Sequence, residues 1–379
     1  MIYKMKDIAS FSQGKQVDIR DQYSNITENH PIRFIRIVDY TNRYEPPRYI
    51  KDYGKRYYAS HDEVVMIRYG SQTAGMVKMG MDGIIANNIF KINFNNEIID
   101  NKYGYYYLSQ PRIFNFLRSS QSSSTMPAIS FGIMNEIEIS VPDMNTQKKI
   151  INILNLIDDS ITLCNNINNK LEELSINLFN KYFLTDDSNH AIIKLKDITK
   201  NNRDRVTDND YKVLSAVNTG NLVFSDDYFD KKVYSKDITK YLVVKKNCFA
   251  YNPARVNIGS IGLNNYDDKC CVSPVYVTFS VEDEYVDFFN FFFKSKSFLS
   301  QVNMRASGSV RQVLSYDSFG EIEIKMPTQK EIHKFNSDYK SIKQKMDLNN
   351  LKIKYYQELL DFLLPKLMNG EIDLSNIEI

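Results

Sequence analysis

The feature that most limits what this chain can fold into is a stretch free of proline and glycine, Thr146 to Leu184, TQKKIINILNLIDDSITLCNNINNKLEELSINLFNKYFL. Alternating steps of three and four residues pass through Ile150, Ile153, Ile157, Ser160, Cys164, Ile167, Leu171, Leu174 and Leu178, the mark of a helix with one apolar seam. A seam of this length wants a partner helix. The sequence supplies one: TQKEI at 328 repeats TQKKI at 146, an offset of 328 − 146 = 182. From there Ile332, Phe335, Tyr339, Ile342, Met346, Asn349, Ile353, Tyr356, Leu360 and Leu363 follow the same steps. About 39 residues at ~1.5 Å each make a rod of roughly 58 Å, longer than most globular domains use. The expectation is therefore a paired coil, with Asn349 opposite Ile167 as a register-fixing polar residue. Pro365 should end or kink the second helix, and Gly370 is a natural stop.

The sequence flanking the helices repeats as well. LKDIT at 195 echoes MKDIA at 5, each expected as an opening strand, and FGEIEIKMP echoes NEIEISVP with the glutamates 321 − 136 = 185 apart. Asp82 and Asp268, Arg118 and Arg305, and the segments LRSSQSSST and RASGSVRQ keep nearly the same offset. The strands read as MKDIASF, IRFIRIVDY, EVVMIRYG, DGIIANNIFKINF and NEIEISVP in the first half. In the second they read as YKVLSAVN, KYLVVKKNCFAYN, KCCVSPVYVTFSV and FGEIEIKMP. The fold class that follows is α+β: two similar mixed domains separated by a long antiparallel two-helix coiled coil, with pseudo-two-fold symmetry. Residues 1–143 form the first domain, 144–185 the first helix, 186–327 the second domain, 328–370 the second helix and 371–379 a tail. Two helices that each leave their domain at the helix N-end can pair only antiparallel, so the chain mimics a dimer, and such a pseudo-dyad matches the local dyad of duplex DNA.

Composition narrows the function by exclusion. A net charge of +2 gives little direction, and residues 190–327 hold 19 basic against 17 acidic side chains, so a basic surface has to be local. The N-terminus lacks a basic-then-apolar signal and no apolar run reaches the length of a membrane helix, so a cytoplasmic protein is expected. Cysteines at 164, 248, 270 and 271 form no CxxC pair, which points to reduced structural thiols and to no metal site.

The densest local charge lies between Arg33 and Tyr58, where seven cations face three acids and six tyrosines intervene, a local +4. Arg33, Arg36, Arg43 and Arg48 are candidates there for phosphate or guanine, whose oxygens match the guanidinium fork. The second half has no close counterpart and offers DRVTDND and NPARVNIGS instead. NPAR at 252–255 resembles the base-holding loop of adenine methyltransferases, but Ala254 and Arg255 replace its second proline and aromatic. No glycine-rich cofactor loop precedes it, and EIEIK at 321 is better explained as the frame strand that ends EIEIS in the first half. No Walker loop, nucleophile elbow or HExxH is present, so no catalytic residue is assigned.

Two domains with unlike middles, each closing on EIEI, a proline and TQK, together with the terminal LLPKLMNGEIDL, resemble the DNA-specificity subunits of type I restriction-modification enzymes. The resemblance covers essentially the whole chain. It implies two target-recognition domains, each reading one half of a bipartite asymmetric site in double-stranded DNA, with the helical pair as a ruler. It implies two methyltransferase subunits as partners, which supply S-adenosylmethionine, and motor nuclease subunits that use ATP and magnesium. No cofactor is expected in this chain. Carried onto this sequence, the serine-rich loops resemble a family loop that approaches DNA, which nominates Arg118, Ser120 and Ser122 in one half and Arg305, Ser307, Ser309 and Arg311 in the other. Gln72, Thr73, Arg255 and Asn257, in the loop after the central strand of each half, carry side chains suited to base edges. A coiled-coil scaffold that binds no DNA is the alternative from another class, and a self-sufficient methyltransferase is disfavoured by its missing motifs.

Overall fold

The computed structural model describes residues 1–42, 45–70, 72–120, 128–183, 190–208, 210–229, 233–266, 269–305 and 313–375. The chain divides into two compact units, residues 1–164 with 351–379, and residues 165–350. Among the described residues no helix is long and apolar enough to cross a membrane.

In the first unit the strands are β1 Ile2–Lys4, β2 Ala9–Gln13, β3 Ile32–Ile35, β4 Arg48–Ile50, β5 Tyr58–Ala59, β6 Val64–Ile67, β7 Val77–Met79, β8 Gly83–Ile85, β9 Ile89–Phe94 and β10 Glu138–Ser140. The helices are α1 Met5–Ile8, α2 Ile37–Thr41, α3 Asn101–Leu108, α4 Pro111–Ser119, α5 Phe131–Asn135 and the start of α6 Met144–Phe183. One antiparallel sheet has the order β2-β9-β6-β7. A second, β4-β3-β8-β5, contains the parallel pair β3–β8 with Phe34 opposite Ile84, and β1 pairs with β10. Strand β6, VVMI, is buried at all four residues because it lies inside its sheet with both faces covered.

The second unit repeats that plan. Its strands are β11 Ala191–Lys194, β12 Lys200–Asn202, β13 Lys212–Val217, β14 Asn221–Phe224, β15 Leu242–Val243, β16 Phe249–Tyr251, β17 Ile261–Leu263, β18 Cys270–Val272, β19 Val277–Ser280 and β20 Glu323–Met326. The helices are α7 Ser225–Tyr228, α8 Val286–Phe292, α9 Lys296–Arg305, α10 Tyr316–Gly320 and the start of α11 Gln329–Met368. The sheets run β12-β19-β16-β17 and β14-β13-β18-β15, with β13–β18 parallel and β11 paired to β20. Every strand of the first unit thus has its counterpart ten places later. The main departure is the β3–β4 connection, which carries α2 and the arginine segment, whereas β13 and β14 join through a tight turn at Gly220, φ +77°.

Several sequence expectations change. MKDI is a helical turn rather than a strand, because Met5 and Ile8, three residues apart, are both buried on one side of it. LKD is likewise a 3-10 turn, Leu195–Asp197, with Leu195 buried. Helices α3 and α8 were not anticipated. They are buried nearly all round, through Tyr103, Tyr106 and Tyr107 in one and Phe288, Phe289, Phe291 and Phe292 in the other, so they show no one-sided stripe. Pro365 does not end α11, which runs on to Met368 and stops before Gly370, φ +71°. All four cysteines are buried.

The long helices contribute to each core separately. In the first unit Ile150, Ile151 and Leu154 share a cluster with Leu364, Leu367 and Met368, and Lys149 Nζ donates to the Leu374 carbonyl at 2.9 Å. Gln147 of the TQK motif is wholly buried and donates to the carbonyls of Ile98 and Pro142, each at 3.0 Å. In the second unit Tyr182 donates to Asp338 at 2.5 Å and Phe179 stacks among Phe291 and Phe335. Both sets of contacts run antiparallel. The seam rotates along the way: Leu174 is 51% exposed while Ser175 is 1% exposed. Strict steps of three and four presume a period of 3.5, and an uncoiled helix at 3.6 drifts off it. Asn349 is buried as anticipated, but its amide donates to Asn168 Oδ1 at 2.9 Å rather than facing Ile167.

Candidate nucleic-acid interface

Strand β6 delivers the chain to a loop held by two glycines, Gly70 at φ +126° and Gly75 at φ +90°, and the Gly75 amide returns to Ile67 O at 2.9 Å. Gln72 stands exposed on this loop. Thr73 does not: it is buried, and its hydroxyl donates to Tyr69 O at 3.2 Å, which makes it a strut. Below them Arg68 donates to Gln13 Oε1 at 2.7 Å and to Ile129 O at 3.3 Å, and lies over the rings of Tyr69 and Phe131. Arg118, in the last turn of α4, lies over Phe114 at 5.5 Å. The Ser120 hydroxyl closes that helix by donating to Phe116 O at 2.8 Å. Ser122 falls outside the described residues. Where description resumes, Ala128 bridges to Tyr69 and the Ile129 amide donates to Arg68 O at 3.0 Å. Ala128 and Ile129 therefore meet the chain where it leaves β6, at one end of the domain.

The second domain builds the same junction from other residues. After β16, Asn252 folds the loop back by accepting from Ala254 N on its side chain and from Arg255 N on its carbonyl, with Gly259 at φ +90° completing the return. Arg255 is exposed and Asn257 half-buried. Arg305 ends α9 as Arg118 ends α4, and Leu314 N donates to Pro253 O at 3.0 Å as Ile129 does to Arg68. Ser307, Ser309 and Arg311 lie outside the described residues.

The arginine segment of the first domain has a different role from the one its density suggests. Arg36 caps α2 and contacts Asp39 at 3.0 Å and Glu45 at 3.2 Å, with a further bond to Pro46 O. Arg33 reaches the same Asp39, whose side chain is 1% exposed. Both guanidinium groups thus share the Asp39 carboxylate and brace a turn, Arg36 with its side chain 16% exposed and Arg33 with 40%. Arg48 donates to Ser24 Oγ at 2.9 Å, and Arg43 falls outside the described residues. Lys51, Lys55 and Arg56 are the exposed cations of this segment.

In the second domain the structure gathers Arg203, Arg205 and Lys240 at one cleft. Sequence reasoning missed this group because the three are spread over 37 positions (240 − 203) and form no run. Among the described residues no three His, Cys, Asp or Glu side chains come together to hold a metal ion.

Residues 1–173 match the family model for the type I restriction modification DNA specificity domain. That match covers the first 173 of the 379 residues. Similar curated relatives include the MjaVIII specificity subunit of Methanocaldococcus jannaschii, 25% identical over 151 residues, 40% of this chain and 35% of the relative. The MjaIX specificity subunit of the same organism is 21% identical over 339 residues, 80% of this chain and 76% of the relative. The first of these matches spans only about a third of that relative's length. Among solved structures the chain resembles the S subunit of the type I restriction-modification system of M. genitalium. The TM-score is 0.51 at 17% identity, covering 97% of this chain and 95% of that one, a likeness of fold.

Proposed function

We propose that this chain is the DNA-reading, non-catalytic subunit of a type I restriction-modification complex, in which each domain reads one half of a bipartite, asymmetric site. The observation that carries the reading is the duplicated frame: twenty strands in two sets of ten with the same sheet order, holding different side chains at the same loops. Two equal frames suit two half-sites, and unlike loops suit an asymmetric sequence. Phosphates would fix the register, and Gln72, Arg255 and Asn257 are the described loop residues we propose for contact with base edges. Helices α6 and α11 leave Leu156, Leu163, Leu351 and Phe362 of the first unit exposed, and apolar side chains in that number on paired helices suit further helices from partner subunits. Two methyltransferase subunits acting on adenine N6 are the partners proposed, joined in a restricting system by two motor nuclease subunits. S-adenosylmethionine, ATP and magnesium belong to those partners, and the complex would work in the cytoplasm.

Mapping N6-methyladenine across the host genome with and without this gene tests the reading. One split motif, a short half, a gap and a second short half, is expected to vanish on deletion, and persistence of every such motif overturns the proposal. Exchanging residues 1–143 for the like domain of a relative is expected to alter one half of that motif and spare the other.

A further inference from the structure

Strand β12 ends at Asn202 opposite Thr278 of β19, and the chain then crosses to the second sheet of the same domain. There the Val206 amide donates to Tyr241 O at 3.1 Å, the Val243 amide to Asp204 O at 2.8 Å, and Arg205 bridges Leu242. A cleft of about 330 Å³ opens at this crossing, and Arg203, Arg205, Lys240, Asn202, Tyr276 and Thr278 are among its lining residues. Among the described residues no aspartate or glutamate lines it. Arg203 and Arg205 are exposed and make no ion pair among the described residues. Lys240, also exposed, interacts with Asp237, whose carboxylate accepts from the Thr239 amide and hydroxyl. The Tyr276 hydroxyl oxygen accepts from the Ala216 amide at 3.3 Å, so its proton remains available to an acceptor.

Three cations brought to one concavity with no acidic side chain among its described lining residues repel one another and gain most from an anion with several oxygens. A phosphodiester is such an anion. Strand register gives the cleft its place: Asn202, Val277 and Tyr251 lie at one end of the sheet β12-β19-β16-β17, and the chain leaves Tyr251 into the loop that carries Arg255. The cleft and the candidate reading loop therefore share an edge of the domain. We propose that this cleft seats a backbone phosphate of bound duplex DNA, held by Arg203, Arg205 and Lys240, and so sets the register at which the Arg255 loop meets the bases. The proposal rests on the DNA-reading function above. It is not visible in the sequence, where these residues form no run.

The test uses the full chain assembled with its methyltransferase subunits. Affinity is measured for a duplex carrying the methylated motif and for a scrambled duplex, from about 50 to 200 mM salt, for wild type, R203Q/R205Q, K240Q and K240R. Each phosphate left without its cation is expected to make the fall of log affinity with log salt shallower by about 0.9, weakening both duplexes by the same several-fold factor while the genomic motif stays the same. K240R should keep the wild-type slope. Because all three side chains are exposed, unfolding midpoints should not move, and K240Q alone serves if the double variant does not fold. A series of duplexes with single neutral methylphosphonates should contain one position at which wild type and variant bind alike. Parallel salt plots overturn the inference and leave the function standing, and so does a loss confined to the cognate duplex, which signals a base contact. Pyrophosphate that stabilises wild type but not the variant, with the DNA slope unchanged, assigns the cleft to a free anion instead. If the wild-type complex prefers neither duplex, the DNA-reading function falls and takes this inference with it.

Discussion

The same end of the same sheet carries cations in both domains, and they are used in opposite ways. In the first domain Lys15 sits over the rings of Tyr53 and Tyr57 at 5.0 and 5.5 Å, and Arg68 is tied to Gln13 and Ile129. In the second, Arg203, Arg205 and Lys240 border an open cleft and Arg255 stands exposed on the neighbouring loop. A frame fixed by its strands leaves the loops free to turn a cation inward as a strut or outward as a contact. The local charge of a segment therefore does not reveal which of the two it is: the more basic segment is the one in which Arg33 and Arg36 pair with a carboxylate of the fold.

The largest expected effect follows from that contrast. Asp39→Asn removes the buried carboxylate shared by Arg33 and Arg36 and leaves Arg36 with Glu45. Removing one partner of a buried pair costs about 3 kcal/mol, to be read as faster hydrogen exchange of the β3 and β4 amides. The nearest comparison in the second domain is Asp204→Asn, which breaks only the exposed contact to Lys245 at 3.4 Å. That change should cost at most about 1 kcal/mol. Equal costs in the two domains would break the comparison, and an Asp39→Asn protein of full stability with tighter DNA binding would reverse it.

The long helices show how much was legible without a structure. Their existence and antiparallel pairing could be read because a seam repeated over many turns outweighs local noise, and TQK with EIEI marked the duplication. The inner positions past Cys164 could not, since the choice between 3.5 and 3.6 residues per turn depends on the partner helix. Short helices buried on every side were invisible for want of a polar face. The bonds that absorb Arg36, its backbone amide and guanidinium both donating to Asp39, hide in plain sequence, because Asp39 three residues on reads equally well as a solvated acid. The cleft of the second domain was out of reach, since it is made by strand crossing.

A second prediction probes the helices in the same spirit, by setting their polar contact against their apolar one. In the first unit the seam packs through Leu154 and Leu367, and in the second it holds the bond from Asn349 to Asn168. Asn349→Leu leaves Asn168 Oδ1 without its donor and should cost about 1 kcal/mol, seen as a lower unfolding midpoint. Changing Asn168 and Asn349 together to leucine should recover that loss. If the double variant is the less stable of the two, the amide pair contributes more than register.

The smallest effect concerns an ion pair that both domains place at the junction between the opening strand and the turn before the closing one. In the first domain Lys4 meets Glu136 at 2.7 Å, and in the second Glu321 is shared by Lys194 at 2.5 Å and Lys196 at 2.6 Å. Hydrogen bonds from both lysines hold the Glu321 carboxyl down at about 2, whereas Glu136 is lowered chiefly by its hydrogen bond from Lys4, with a smaller contribution from Lys6. A carboxylate whose folded pKa lies below its unfolded value stabilises the fold above the unfolded pKa and loses that contribution as pH falls through the folded one. The second domain should therefore keep its pair charged through the window from about 4.5 down to about 2. Carboxyl carbon titration by NMR is expected to place Glu321 below Glu136. Lys196→Met should raise Glu321 toward Glu136 and leave Glu136 where it was. Because both sites are exposed, the change in stability should be slight, so the titration curves rather than the unfolding midpoint decide whether one lysine or two distinguishes the domains.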